Sequence, residues 1–531
     1  MSEERKKSNL SEHLTGFIGG TLSLTVSALI VKFIGLIYKI PIASLLGDEG
    51  MGYFNSAYTI YAFFYLLCTA GVPKAVMILI SESKARHRVY EEKRIVRVAS
   101  VLFLAVGVIL SAILIVFAAP LSMLIGNNKA YFTLVAIAPS IIPVAISGVI
   151  RGYLTANTKL LEIAVSQIIE GVGKLGIGLL LAMLGVRYNL PLEILSALTV
   201  LGVSFGSFIG TMYLLVCLKS RNKGENIGQN VEKIKFSVVA GRIFKISLPI
   251  TISSAIMSFT NLIDLGLIMR SLVKVGYSEN IASMLYGNYT TLAVPMLNLA
   301  TSIISPVSVA FLPVFTRCFI KSDTDGQREA ERSAIQLTSL IGAPIMFGLI
   351  FYAKEILAML FPSSEVNTGA ALLSLIAPSI FFSSLLIILN TLLEAYGKLK
   401  SPLISMTVGS IIKIIASYLL ITRTDLGILG APIGTVLSYA SGLIVSILIY
   451  GKTFGRIIPI FEQSLIPHLL AFTAVILSRF VYQSNLFSLP HVPSLMLSIL
   501  LCALIYLGLS AFVGVIRPKR IKELAKYTNL S

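Results

Sequence analysis

Apolar residues gather along the chain into stretches of about 20 or more, the length a helix needs to cross the hydrocarbon core of a bilayer. Short polar connectors separate them. Such stretches fall at 14–46, 53–80, 95–117, 130–154, 159–185, 192–218, 243–269, 284–315, 333–353, 368–393, 402–422, 428–450, 464–482 and 493–515. Numbered in that order, they predict about fourteen transmembrane spans and an all-α polytopic membrane protein. The first stretch is longer than the apolar core of a signal peptide, so it is expected to stay in the chain as a helix.

Composition agrees. Of 531 residues, 56% are hydrophobic and only 13% charged, where a soluble domain has about 25% charged residues. That excludes an ordinary globular protein, and a chain this apolar does not stay disordered in water. The net charge of +18 would suggest a nucleic-acid partner in a soluble protein. Its placement says otherwise. With the N-terminus in the cytoplasm, the cytoplasmic ends and loops hold 30 Lys and Arg and the opposite side 7. This asymmetry obeys the positive-inside rule and puts both termini in the cytoplasm. Basic loops such as Lys84, Arg86, Arg88, Lys93 and Arg94 are therefore topology determinants, and secondarily a surface for anionic lipid heads. No nucleic acid is needed. The four cysteines (Cys68, Cys217, Cys318, Cys502) stand singly, with neither metal-ligand spacing nor a paired framework, so no metal or cofactor is expected.

The chain also repeats itself. A shift of 239 positions pairs Leu154 with Leu393, Ala156 with Ala395, Lys159 with Lys398, Ser166 with Ser405, and Lys174 with Lys413. A shift of 236 pairs Thr199-Val200-Leu201 and Gly206 with Thr435-Val436-Leu437 and Gly442. A lysine within an apolar span that meets another lysine is a more telling coincidence than matched leucines. The expected organisation is an N-lobe of spans 1–6 (1–235), a C-lobe of spans 7–12 (236–456) in parallel repeat, and spans 13–14 with a basic tail (457–531). Parallel repeats place two lobes about an axis along the membrane normal with a central cavity between them.

An ionisable side chain at mid-bilayer costs roughly 2.5–3.5 kcal/mol on insertion scales, so each one calls for a role. Lys32 and Lys39 lie seven apart on nearly one face of span 1, with Gly35 between them. Lys74 follows Gly71-Val72-Pro73, where proline bends span 2. With Arg151 at the end of span 4, these are the candidate residues for an anionic headgroup. Glu170 and Lys174 stand i,i+4 with the acid first, the favourable order for an intrahelical pair. The repeat mate Lys413 has Gly409 rather than an acid at that offset. Asp264 is the acid deep in span 7. Asp264, Glu170, Lys174 and Lys413 are candidates for cavity or coupling charge. Gly202, Gly206 and Gly210 form a ladder that permits close helix packing.

Cations outnumber acids in this set, which points to a negatively charged ligand, and lysines suit phosphate as compact point charges. The chain has no Gly-x-x-x-x-Gly-Lys-Ser/Thr phosphate loop, so transport would use a gradient or a partner. Two negative charges leaving a negative cytoplasm would gain about 4–5 kcal/mol per 100 mV.

Lys32-Phe-Ile-Gly35-Leu-Ile-Tyr38-Lys39-Ile-Pro41, Leu46-Gly47-Asp48-Glu49-Gly50-Met-Gly52, Gly71-Val72-Pro73 with Ser81-Glu82, and Ile150-Arg151-Gly152-Tyr153 resemble the polysaccharide-flippase branch of the MATE-like (MOP) superfamily. That branch holds the stage V sporulation protein B, YtgP and MurJ proteins. The resemblance extends over all fourteen spans. It implies a flippase for an undecaprenyl-diphosphate-linked oligosaccharide, with lipid II as the MurJ cargo, working by alternating access rather than as an enzyme. It further implies that spans 1, 2, 7 and 8 line the cavity and that spans 13 and 14 form a groove for the isoprenoid tail. Lys32 falls where the family places an essential span 1 arginine, and Tyr38 or Lys39 near a second. The family's arginines on spans 2 and 8 have no counterpart, Tyr289 being nearest on span 8. A cation-coupled drug antiporter of the same superfamily would show an acid-rich cavity and twelve helices. A membrane-embedded glycosyltransferase or ligase would show a large extracytoplasmic loop with catalytic carboxylates or histidine.

Overall fold

The computed structural model describes residues 2–85, 89–157, 159–221, 235–320, 322–362, 364–398, 400–484 and 490–514. The side chains of 2–29 and of some positions inside helices, Lys32 among them, lie outside the described residues. Among the described residues there is no strand. The first half of the chain forms α1 (Ser2–Thr69), α2 (Val72–Ala85), α3 (Val89–Val116), α4 (Ala118–Leu124), α5 (Tyr131–Ile137), α6 (Ile141–Ala156), α7 (Leu160–Arg187) and α8 (Leu192–Arg221). The second half forms α9 (Phe236–Lys274), α10 (Glu279–Asn288), α11 (Val294–Ile320), α12 (Thr324–Phe351), α13 (Ala353–Leu360), α14 (Val366–Ile376), α15 (Ser379–Ala395), α16 (Ser401–Arg423), α17 (Gly430–Phe454), α18 (Ile460–Gln483) and α19 (His491–Phe512).

Among the described residues, twelve segments are long and apolar enough to cross a membrane. The expected spans 14–46 and 243–269 are not among the twelve. Both contain side chains outside the described set, and both lie in helices, α1 and α9. Expected spans 1 and 2 run into each other in α1, which bends at Gly47. That residue has φ 62° and ψ −179°, a region open to glycine and strained for any side chain.

The helices form two compact units: Met1–Arg270 with Ser278–Gly287, and Ser271–Tyr277 with Asn288–Ser531. In unit 1, α7 and α8 cross through the predicted glycine ladder. A Cβ on Gly202 would meet the Gly178 backbone at 2.5 Å, and one on Gly206 would meet the Glu170 carbonyl at 2.6 Å. Backbone contact of this kind fixes the register of the hairpin, because no side chain can bend out of the way. Gly152 of α6 lies equally close to Pro73 of α2, the ideal Cβ falling 2.6 Å from the Pro73 carbonyl. Two segments of the family-like sequence, Gly71-Val72-Pro73 and Arg151-Gly152, are thus one packing contact. Gly71 in turn faces the Ser247 carbonyl of α9. Arg242 of α9 donates to Glu82 at 2.7 Å and to Glu91 at 2.8 Å.

Unit 2 repeats the device. In its α16–α17 hairpin, Gly409 meets the Ser438 carbonyl, Gly434 the Ser417 side chain and Gly442 the Ser405 carbonyl. A buried cluster in it surrounds Phe315, Leu389, Tyr396 and Tyr450. Helices α18 and α19 pack on α12 through Ala343, Ala471, Ala474 and Tyr506, whose hydroxyl donates to the Leu340 carbonyl at 2.9 Å.

Candidate functional site

The polar interior of unit 1 is built on the second arm of α1. Phe54, Tyr58, Tyr61 and Tyr65 recur at spacings of four, three and four, so one helix face carries an aromatic ladder. Successive ring centroids are 6.0, 5.7 and 5.8 Å apart. Tyr38, on the first arm of α1, is buried beside this ladder and donates to the Thr199 carbonyl of α8 at 3.1 Å.

Lys174 of α7 reaches into the ladder. Its ammonium lies 4.6 Å from the Tyr58 ring centroid, 5.4 Å from that of Tyr38, and 3.3 Å from the Tyr58 hydroxyl. Ring faces attract a cation without cancelling its charge. Lys39 donates to Asn55 Oδ1 at 3.3 Å, three residues before Tyr58 on the same arm. Both lysines are half-buried.

The spacing-based pair of Glu170 with Lys174 is not what the helix makes. Glu170 accepts instead from Arg151 of α6 at 2.8 Å. No carboxylate lies within 4.0 Å of Lys174 among the described residues. Arg151 meets Glu170 because α6 presents it across the helix interface, a neighbour that an i,i+4 count along α7 cannot see. Lys39, Lys174, Glu170 and Arg151 are therefore brought into one polar interior.

The other predicted residues are placed differently. Lys74 is exposed at the start of α2, and Asp264 is buried on α9. Lys413 is half-buried on α16 in unit 2, within electrostatic reach of Tyr439. Tyr289 is buried in unit 2, its hydroxyl 2.9 Å from Thr435 Oγ1. Lys32 lies outside the described residues.

Sequence reasoning passed over the tyrosines, although their heptad-like spacing was readable. It also passed over Glu331, which stands two residues before predicted span 9. That carboxylate is 1% exposed and accepts from Arg456 at 2.9 Å, Tyr450 at 2.9 Å and Tyr396 at 3.3 Å. Burial first, then the Glu331 charge, push the Tyr396 hydroxyl above the usual tyrosine range, so it stays protonated and donates. This hub joins the ends of α12, α15 and α17.

The signature of the polysaccharide biosynthesis protein family matches residues 17–319. The chain belongs to that family. A second signature, MatE, matches residues 249–419. Stage V sporulation protein B of Bacillus subtilis (strain 168) is 23% identical over 469 residues, which cover 88% of each chain. The lipid II flippase MurJ of the same strain is 20% identical, with 82% of each chain covered. A solved structure of lipid II flippase MurJ in an inward closed conformation superposes with a TM-score of 0.68 over 92% of this chain and 98% of that one, at 16% identity. The fold is thus that of the MATE and MurJ proteins, and the family member is a multi-pass membrane protein of the MOP superfamily. Its relatives are transporters and flippases, the class its sequence resembles.

Proposed function

We propose that this family member flips a lipid-linked anionic oligosaccharide, with lipid II as the leading cargo, from the inner to the outer leaflet by alternating access. In this reading the partner is an undecaprenyl-diphosphate glycolipid, both termini are cytoplasmic, and the protein works in the bacterial plasma membrane. The observation that carries it is that, among the described residues, Lys39, Lys174 and Arg151 gather with Glu170 in the interior of unit 1. Lys39 and Lys174 are held by tyrosines and an asparagine, while Glu170 is committed to Arg151. An ammonium in a low-dielectric interior is stabilised by an incoming oxyanion. Relatives named for lipid II flipping and for sporulation support this reading.

The test is complementation of a conditional lipid II flippase mutant, with lipid II exposure at the outer leaflet as the readout. Rescue is expected. Failure with normal membrane expression removes lipid II and leaves other lipid-linked sugars. A second reading, cation-coupled antiport, has one observation in its favour: Asp264 is buried within the stretch that matches MatE. A sodium- or proton-dependent efflux of organic cations from the same cells would support it.

A further inference from the structure

We propose that Asn298, Thr301 and Ser305 of α11 form a neutral hydrogen-bonding rail that takes the saccharide of the cargo, an assignment that rests on the flippase reading. All three residues belong to unit 2.

Asn298 stands near the centre of the apolar stretch 284–315, and it is exposed. Among the described residues its side chain has no hydrogen-bond partner. An amide turned to hydrocarbon would have nothing to bond, a placement that membrane helices avoid. The exposed apolar side of α11 lies elsewhere. Ile303 is 44% exposed, and at about 100° per residue it is turned about 140° from Asn298. A third side carries Leu297, Ala300, Ile304 and Phe311, all buried, in a helix that packs on α12 and α15. The surface of α11 is thus sorted into core, lipid and water, and Asn298 marks the water side.

Thr301 and Ser305 follow Asn298 on the same face, and both are half-buried. Their protons are spent inside the helix. Thr301 Oγ1 donates to the Asn298 carbonyl at 3.1 Å, and Ser305 Oγ donates to the Ser302 carbonyl at 3.4 Å. The second bond has a cause: in a regular helix the Ser302 carbonyl would accept from the amide of residue 306, and that residue is proline. With their protons committed, both hydroxyl oxygens keep lone pairs for an incoming donor, and the Asn298 amide both donates and accepts. The rail runs about 10 Å at 1.5 Å per residue. A π turn at Tyr289–Ala293 leads into it, a form of helix frequent at functional sites.

The chain carries no charged residue between Glu279 and Arg317. A phosphate finds no cation on this rail, and an organic cation finds no acid. A saccharide matches it, because each sugar hydroxyl donates and accepts and an acetamido group pairs with an amide side chain.

The experiment compares two lipids bound by the full chain in nanodiscs: undecaprenyl diphosphate and the same lipid carrying a disaccharide. The unaltered chain should bind the glycosylated form about tenfold more tightly. Asn298→Leu, similar in size but without hydrogen bonds, should erase that preference while binding of the bare diphosphate is kept. Asn298→Gln, which retains the amide, should retain most of it. Thr301→Val should lose about threefold of the preference, and it carries the test if Asn298→Leu does not fold. An unchanged preference in Asn298→Leu, or an equal loss of both lipids, overturns the rail. A second readout is independent of cargo. With Cys68, Cys217, Cys318 and Cys502 replaced by alanine, Asn298→Cys should react with a membrane-impermeant maleimide about tenfold faster than Ile303→Cys, since a thiol in apolar surroundings is inert. Equal rates overturn the water-facing placement. Binding of the bare diphosphate with no preference for the sugar overturns the rail and keeps the flippase reading. Binding of neither lipid, with Asn298→Cys still labelled, fails the flippase reading and takes the saccharide assignment with it.

Discussion

Replacing Glu331 by alanine removes the acceptor of three donors at once. The carboxylate is almost fully buried, and Arg456 beside it retains 21% of its side-chain exposure. Hydrogen bonds to a charged group are worth about 1.5–3 kcal/mol each, and deleting one partner of a buried ion pair costs about 3–5 kcal/mol. Arg456 can turn partly to solvent, so the low end applies: about 3 kcal/mol, or roughly a hundredfold in the folded-to-unfolded ratio. Two tyrosine hydroxyls are stranded as well. Their rings cannot move away, because Tyr396 stacks on Phe319 and meets Phe454 edge to face, both at 5.0 Å, and Tyr450 lies 4.9 Å from Phe454. Glu331→Gln keeps the shape and one acceptor and should cost about half as much. The assay is reversible unfolding of the detergent-solubilised protein in an SDS titration, with Arg456→Ala and the double variant completing a cycle. A coupling of about 1–2 kcal/mol between Glu331 and Arg456 is expected. A cost for Glu331→Ala within about 0.5 kcal/mol, the level of an ordinary surface change, would refute the hub as a stabilising element.

Arg242 clamps the start of α9 to Glu82 and Glu91, but Arg242 and Glu82 are more than a third exposed, so solvent discounts the pair. Arg242→Gln should raise amide hydrogen exchange over 236–250 by about tenfold, a local opening of about 1.4 kcal/mol, and unchanged exchange would show that the apolar contacts of α9 suffice. Gly206→Leu should abolish the folded protein in a detergent-stability assay, whereas Gly176→Ala, whose Cβ meets nothing within 4 Å, should be neutral or slightly stabilising. Lys32→Ala should eliminate complementation while membrane expression is retained; normal growth of cells that rely on this variant would take Lys32 out of the headgroup site.

The scaffold was legible because its signals are local. Twenty-residue apolar stretches, a glycine every fourth residue and a proline after Gly71-Val72 each act within one or two turns, and the helices and the α7–α8 seam follow them. The site was legible only in part. Charge and burial marked Lys39, Arg151, Glu170 and Lys174, but which carboxylate meets which cation depends on α6 lying against α7. Arg151 and Glu170 are 19 residues apart, a separation that no helical periodicity connects. Lys74, marked by the same rule, is exposed at the start of α2. Glu331 escaped because it sits at the edge of its span among basic loop residues, where an acid normally reads as solvated.

A comparison of the two halves at the repeat shift separates what the fold requires from what the function requires. Gly206 and Gly442 hold the same place in α8 and α17, and each faces the backbone of its hairpin partner. Glu92 and Glu331, 239 positions apart, are both buried, Glu92 in the first turn of α3 and Glu331 about two turns into α12. Seam glycines recur because any hairpin of this geometry has to close its seam. The matched lysines behave differently. Lys174 sits in a tyrosine box with an arginine diverting the nearby acid, whereas the turn before Lys413 in α16 carries Gly409, which is packed against Ser438. The seam glycines thus keep one role in both halves, while the matched lysines differ in their surroundings. On the proposed function, Lys174→Gln should lower complementation with little effect on stability, and Glu331→Ala should do the opposite.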